Sequence, residues 1–213
     1  MRNYAGKQEM IASQVEDKCL QQKDFSGYDL SGIDLRGFDF SGMNLIGADL
    51  RAANLSGAVL KNANLSGANL MEACLREANL TDACLCEVNF TNTDATRASF
   101  CNAFLWRAKF TGSKLWGASL CNADLSEADL REAKLIEASL VEANLVRANL
   151  FGTKLCGATL LEASFHQANL TGADLQWANL VQANFTGANL WDCNLTHVKF
   201  GNTVMPDGRV VDC

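Results

Sequence analysis

Histidines and cysteines are where catalysis or soft-metal binding would most readily start, and this chain of 213 residues has two of the first and nine of the second. A catalytic or metal centre needs such groups to converge in a concave site. His166 and His197 fall on different parts of the repeating pattern described below, and neither belongs to a zinc-ligand motif. The cysteines form no CxxC pair, and their number is odd, which suits free thiols in a reducing compartment. Cys84 and Cys86 flank Leu85, and Cys193 takes a small inward position usually held by alanine. These residues predict no catalytic site, no metal and no cofactor.

Charge excludes other classes. A formal net charge of −6 argues against general binding to nucleic acid or a membrane surface, which needs basic patches. It leaves open a basic partner, or mimicry of a nucleic acid. No apolar run approaches the ~20 residues needed to cross a bilayer. The first 22 residues carry Lys7, Glu9, Glu16, Asp17 and Lys18 and lack the apolar stretch of a signal peptide. The expectation is a soluble cytoplasmic protein.

The element that must position every side chain is a repeat. From Phe25 to Phe200 every fifth residue is Leu or Phe except Ala95, through 36 consecutive units without insertion or loss. Two residues earlier sits a small residue, usually alanine, and between the two lies a short polar residue, commonly Asn or Asp. A helix would smear a period of five around its axis, and a flat strand would send alternate leucines to opposite faces. The period survives only if the chain turns within each unit. Gly27, Gly32, Gly37, Gly42, Gly47, Gly57 and Gly67 fall at the second corner position, where a positive φ is easiest.

Outward positions set the number of sides. At spacing 20, Cys101, Cys121, Val141, Leu161 and Val181 form a row of outward apolar residues. Lys114, Lys134 and Lys154 form a second row, and Glu87, Arg107, Glu127 and Arg147 alternate in sign along a third. At spacing 15 these rows dissolve, so four units make one coil. Ala95 removes one large core side chain, and Phe90 and Phe100 in the adjacent units can supply the volume.

Units such as Ala143-Asn144-Leu145-Val146-Arg147 and Ala173-Asp174-Leu175-Gln176-Trp177 resemble the pentapeptide repeat family. The resemblance implies an all-β fold, a right-handed quadrilateral β-helix with the Leu/Phe centre and the preceding small residue filling the interior. At a strand spacing of ~4.8 Å, about nine coils would make a rod ~43 Å long. Residues 1–22 are expected to form an N-terminal helical cap, with a helix over 7–20 placing Ile11, Val15 and Cys19 on one stripe beside Met10. The β-helix then occupies 23–202, and 203–213 form a C-terminal tail. Val204 to Val211, with Met205-Pro206-Asp207-Gly208 as a turn, resembles the endings of several cyanobacterial members and is expected to close the last coil.

A convex rod without loop insertions offers surfaces rather than pockets. The row Cys101, Cys121, Val141, Leu161 and Val181 should lie outside the core, with Trp116, Ile136 and Cys156 in a parallel row on the preceding side. A contiguous apolar strip marks an interface with another protein or with a second copy, and Trp116 is the type of anchor found there. Phe104, Trp106, Phe151, Trp177 and Trp191 are expected on other sides. The lysine row either receives an acidic partner or anion or fans into water. Cys101 and Cys121 either form a disulfide under oxidation or serve as small packable residues.

The leading expectation is a non-catalytic adaptor or regulator that binds protein through a rigid face. Within the family resembled, a cyanobacterial member modulates a developmental transcription regulator in this way. An alternative is a DNA mimic acting on gyrase, a role of other family members, to which the acidic balance and the collar Asp24, Asp29, Asp34, Asp39 and Asp49 would contribute. Those relatives dimerise through a C-terminal helix and some use projecting loops, and this pattern shows neither. A third is a self-assembling structural rod.

Overall fold

In a unit centred on residue i, the residue at i−1 pairs in parallel with its counterpart twenty positions along the chain. These bridges run without a break from Asp24↔Asn44 to Asn184↔Val204. The computed structural model describes residues 24–212. One coil therefore takes four units, and the chain is a β-helix solenoid with four sides. In chain order the first side is centred on Phe25, Leu45, Leu65, Leu85 and Leu105, and the second on Leu30, Leu50, Leu70, Phe90 and Phe110. The third is centred on Leu75, Ala95, Leu115, Leu135 and Leu155, and the fourth on Leu80, Phe100, Leu120, Leu140 and Leu160. The helix expected over 7–20 lies outside the described residues.

Every backbone donor of a unit has a defined fate, which explains the composition of the repeat. The N–H at i donates to the next coil, as Leu145 does to the Ser164 carbonyl at 2.7 Å. The N–H at i−1 donates to the previous coil, as Asn144 does to Ala123 at 2.9 Å. At the corner, the N–H of Ala148 closes a β-turn onto the Leu145 carbonyl at 3.0 Å. The N–H at i+2 reaches the next coil, as Arg147 does to His166 at 2.9 Å.

Only the N–H at i+1 lacks a backbone partner in this scheme. The Asn or Asp at i−1 takes it: Asn144 Oδ1 accepts from Val146 N–H at 3.1 Å, and Asp129 Oδ1 from Arg131 N–H at 3.2 Å. This is an Asx turn repeated coil after coil. The third turn residue has positive φ, at Gly47 (63°) and Gly172 (66°) as the glycine pattern predicts. Non-glycine residues accept it too, at Arg147 (57°) and Glu162 (57°), because the inter-coil ladder fixes the corner on both flanks.

The Leu/Phe at i and the small residue at i−2 fill the interior and are buried. Each leucine so buried contributes about 1.5–3 kcal/mol. Where the small residue is polar, its hydroxyl is satisfied by backbone: Thr93 donates to the Leu70 carbonyl at 2.7 Å and Thr153 to Leu130 at 2.8 Å. Around Ala95 three rings compensate for the missing volume. Phe90 stacks on Phe110 with centroids 4.6 Å apart, and Phe100 meets both edge-on at 5.9 Å.

The C-terminal end holds the expected turn, Met205-Pro206-Asp207-Gly208, between two short strands. β1 (Thr203–Val204) and β2 (Val210–Val211) form an antiparallel hairpin, and Val204 pairs with Asn184. The hairpin thus extends the first side along the axis. It leaves Leu190, Cys193, Leu195, Val198 and Phe200 of the last coil only half-buried.

Candidate functional site

Cys101, Cys121, Val141, Leu161 and Val181 occupy the i+1 positions of five successive coils on the fourth side, as the spacing predicts. They lie outside the core but are half-buried, because each is covered by its neighbours one coil away. The closeness of that stacking shows at Gly201, where an added Cβ would come within 3.2 Å of Val181 Cγ2. On the third side Trp116 is 48% exposed, whereas Ile136 and Cys156 are half-buried.

The lysine row belongs to this same surface. Lys114 and Trp116 flank Leu115, and Lys134 and Ile136 flank Leu135, so charged and apolar rows run side by side on the third side. Asp94 and Asp174 end the lysine row. Arg76 holds Asp94 at 2.8 Å, and Lys154 lies 3.7 Å from Asp174. Lys114 and Lys134 have no carboxylate within ion-pair distance among the described residues. A shallow groove is lined by Arg76, Asp94, Arg97, Lys114, Trp116 and Lys134, with Glu77 and Glu137 also on its walls.

A second ladder accompanies the fourth-side strip. Ser99, Ser119, Ser139 and Thr159 take consecutive i−1 positions beside the i+1 row. Their hydroxyls interleave with it: Thr81 Oγ1 lies 3.0 Å from Ser99 Oγ, Cys101 Sγ 2.9 Å from Ser119 Oγ, and Cys121 Sγ 3.1 Å from Ser139 Oγ. The result is a flat, uncharged zone of small side chains.

These two ladders share a backbone consequence. Lysine, serine and threonine at i−1 do not supply the Asx acceptor; among the described residues no protein acceptor meets the N–H of Trp116, Ile136 or Leu161, and that of Val141 turns to the Cys121 sulfur instead. Asp94 and Asp174 bracket the gap on the third side with Asx bonds to Thr96 and Gln176, and Asn79 and Asn179 do so on the fourth. A contiguous block on two adjacent sides has therefore given up the residue that suits the repeat.

Elsewhere the outward residues are dispersed. Phe104 and Trp106 lie on the first side, where the Arg107 guanidinium sits 4.3 Å from the Trp106 ring centroid and bonds Glu127 at 2.8 Å. That pair, with Arg147 donating to Gln167 at 3.1 Å, belongs to the row of alternating sign. Phe151 and Trp191 lie on the second side. Trp177 requires a correction, because it occupies the corner joining the third and fourth sides instead of a remote one. It stacks on His197 with ring centroids 4.1 Å apart.

The thiols differ in character. Burial pushes the Cys121 thiol up, but hydrogen bonds from Ser119, Ser139, the Val141 N–H and Cys101 outweigh it and leave the pKa below the usual thiol value. Burial raises Cys86 and Cys156, and raises Cys193 to about 11. Cys193 donates to the Leu170 carbonyl at 2.7 Å in a core-facing position. All seven cysteines among the described residues are free. No cluster of three or more metal-binding side chains occurs among them either, nor a helix long and apolar enough to cross a membrane.

The profile of pentapeptide repeats matches in eight copies that together span residues 24–205. The chain belongs to the pentapeptide repeat family. It is similar to HetL of the cyanobacterium Nostoc sp. strain PCC 7120, a pentapeptide repeat protein involved in heterocyst differentiation regulation. Identity is 36%, the match covers 89% of each chain, and the TM-score is 0.74. Full-length QnrB1, a plasmid-mediated fluoroquinolone resistance protein, is 18% identical over 85% of this chain and 89% of its own, with a TM-score of 0.39. A pentapeptide repeat protein of the Arabidopsis thaliana thylakoid lumen is 28% identical over 72% of this chain and 65% of its own, with a TM-score of 0.18. No curated protein shows significant similarity to this chain.

In this pentapeptide repeat protein the residues of the acidic collar expected near the first coils also serve local structure. Asp24 and Asp39 accept the N–H groups of Ser26 and Ser41. Asp34 and Asp49 are each paired at 2.6 Å with Arg36 and Arg51.

Proposed function

We propose that this pentapeptide repeat protein is a non-catalytic adaptor or regulator that binds another protein across its third and fourth sides. One observation carries the reading: over the same coils, two adjacent sides replace the Asx-forming residue with lysine, serine or threonine and present apolar rows beside them. Those rows are Trp116, Ile136 and Cys156, and Cys101, Cys121, Val141, Leu161 and Val181. A cap of this kind is worth about 1 kcal/mol, so its loss in a block favours a surface selected for contact. A rigid backbone adds to affinity because little conformational freedom is lost on binding. HetL, at 36% identity, is involved in heterocyst differentiation regulation, which agrees with a regulatory role. The free thiols suit a reducing, cytoplasmic setting. A right-handed coil and nine coils, from 36 units at four per coil, complete this picture of the rod.

The test is affinity capture from a lysate of the source cells, comparing the wild type with Val141→Asp/Leu161→Asp. Both substitutions place a charge in the half-buried strip without touching the core. A protein held by the wild type and lost by the variant supports the reading. Capture of a type II topoisomerase would move the assignment to DNA mimicry, and recovery of the chain alone as an oligomer would move it to self-assembly.

A further inference from the structure

We infer that the third side receives an acidic amphipathic helix of the partner, laid along the axis of the rod; this rests on the protein-binding reading above. The first support is charge. Lys114 and Lys134 are bridged neighbours, so their backbones stand one coil spacing apart, ~4.8 Å. Like charges at that distance repel unless a counter-charge lies between them. The carboxylates that could serve are otherwise held or set aside. Asp94 belongs to Arg76, Asp174 lies beside Lys154, and Glu77 stands 4.0 Å from Arg97. Glu137 lies on the corner next to Gly117 and Gly157, at the rim of the groove. In a chain of net charge −6 this is a row of three consecutive lysines placed where Asn or Asp would suit the backbone better.

The second support is the apolar row on the same rungs. Trp116, Ile136 and Cys156 stand two residues from the lysines, and Trp116 lines the groove with Lys114 and Lys134. A ligand that satisfies the lysines therefore also presents apolar groups to one flank.

Spacing selects the helix over an extended strand. Residues three apart on a helix advance ~4.5 Å along its axis, close to the ~4.8 Å repeat of the rungs. Carboxylates at positions n, n+3 and n+7 of such a helix keep one stripe over the lysine row. Apolar residues at n+4 and n+8 then fall on the neighbouring stripe, over Trp116, Ile136 and Cys156. In a strand the residues of one face recur every ~6.7 Å, so they lose register with the rungs at once.

The test uses the full chain and a fluorescein-labelled 18-residue peptide with Glu at n, n+3, n+7 and n+10 and Leu at n+4 and n+8. Binding is read by anisotropy and by quenching of tryptophan emission, with Trp116→Phe to assign the quenched ring. Binding should weaken roughly tenfold in Lys114→Gln/Lys134→Gln, and by a similar factor when Glu is replaced by Gln in the peptide. It should also weaken as salt rises from 50 to 300 mM. Circular dichroism of each variant confirms the fold. Failure of the wild type to bind the peptide would overturn the inference, as would equal binding by the Gln peptide or by one with a central proline. A captured partner lost in Val141→Asp/Leu161→Asp but kept in Lys114→Gln/Lys134→Gln would overturn this inference alone and leave the protein-binding reading standing.

Discussion

The Cys101 thiol lies 2.9 Å from the Ser119 hydroxyl, and that hydroxyl lies 3.5 Å from the Cys121 thiol one coil further along. A single serine thus joins two sulfurs carried by adjacent coils. The Cys121 thiol has a pKa below the usual value, so it holds more thiolate near neutrality than Cys86 or Cys156, whose thiols burial pushes up. Diamide, which accepts two electrons from a pair of thiols, should therefore join Cys101 to Cys121 first. Peptide mapping by mass spectrometry should find that cross-link in the wild type and not in Cys101→Ser or Cys121→Ser. Stacked positions one coil apart, ~4.8 Å, fall inside the Cα separation that a disulfide tolerates. Equal labelling of all cysteines by iodoacetamide would contradict the ordering.

Asx capping predicts two opposite stability changes. Asn144 accepts the Val146 N–H and donates from Nδ2 to Asp124 Oδ1 at 2.9 Å. Asn144→Ala should cost about 1–2 kcal/mol in chemical denaturation. Lys134→Asn restores an acceptor for the Ile136 N–H and removes one of three stacked charges, so it should stabilise by about 0.5–1 kcal/mol. A stabilising Lys134→Asn that weakens the acidic peptide would show stability given up for binding at that position.

Phe90 and Phe100, in the units flanking Ala95, pack on one another and on Phe110. Restoring the repeat with Ala95→Leu should overpack the core and destabilise the rod by about 1–3 kcal/mol. The paired change Ala95→Leu/Phe90→Leu should recover most of that loss. An unchanged denaturation midpoint for Ala95→Leu would mean that the rings leave free space.

Acid should weaken the rod late. Burial raises the Asp129 carboxyl, but hydrogen bonds from Arg131 and Thr111 overcome it and hold the group below its ordinary range. Asp94 is held down against burial in the same way by Arg76 and Thr96. A carboxyl depressed by folding adds stability above its unfolded pKa, ~3.9, and that contribution is lost as pH falls through the folded value. Thermal stability should therefore be flat from pH 7 to about pH 5 and fall below about pH 4. Asp129→Asn should be less stable than the wild type at pH 7 and approach it near pH 2.

Much of this surface could be read from residue positions. The outward rows at spacing 20 announce four sides before any coordinate is known, and the bridges follow that spacing throughout. Lys114 and Trp116 flank Leu115, so their shared side was present in the numbering, although the two rows invite separate treatment because one is charged and one apolar. The value of Asn and Asp at i−1 was less visible. It depends on one backbone N–H being left over after the inter-coil bonds are made, which a pattern of side chains does not display.

By itself the sequence determined the period, the inward residues, the number of sides and the neighbours of each outward residue. A five-residue repeat without insertions leaves the chain one way to bury its leucines. Only the tertiary structure decided how far the apolar strip is covered, which hydroxyl meets which thiol, and that the Trp177 ring stacks flat on His197. It also left the last coil half-open beside a hairpin that runs along the first side. Burial, hydrogen bonding and ring stacking outside the core depend on side chains twenty residues away, and their rotamers are settled only once the coils are stacked.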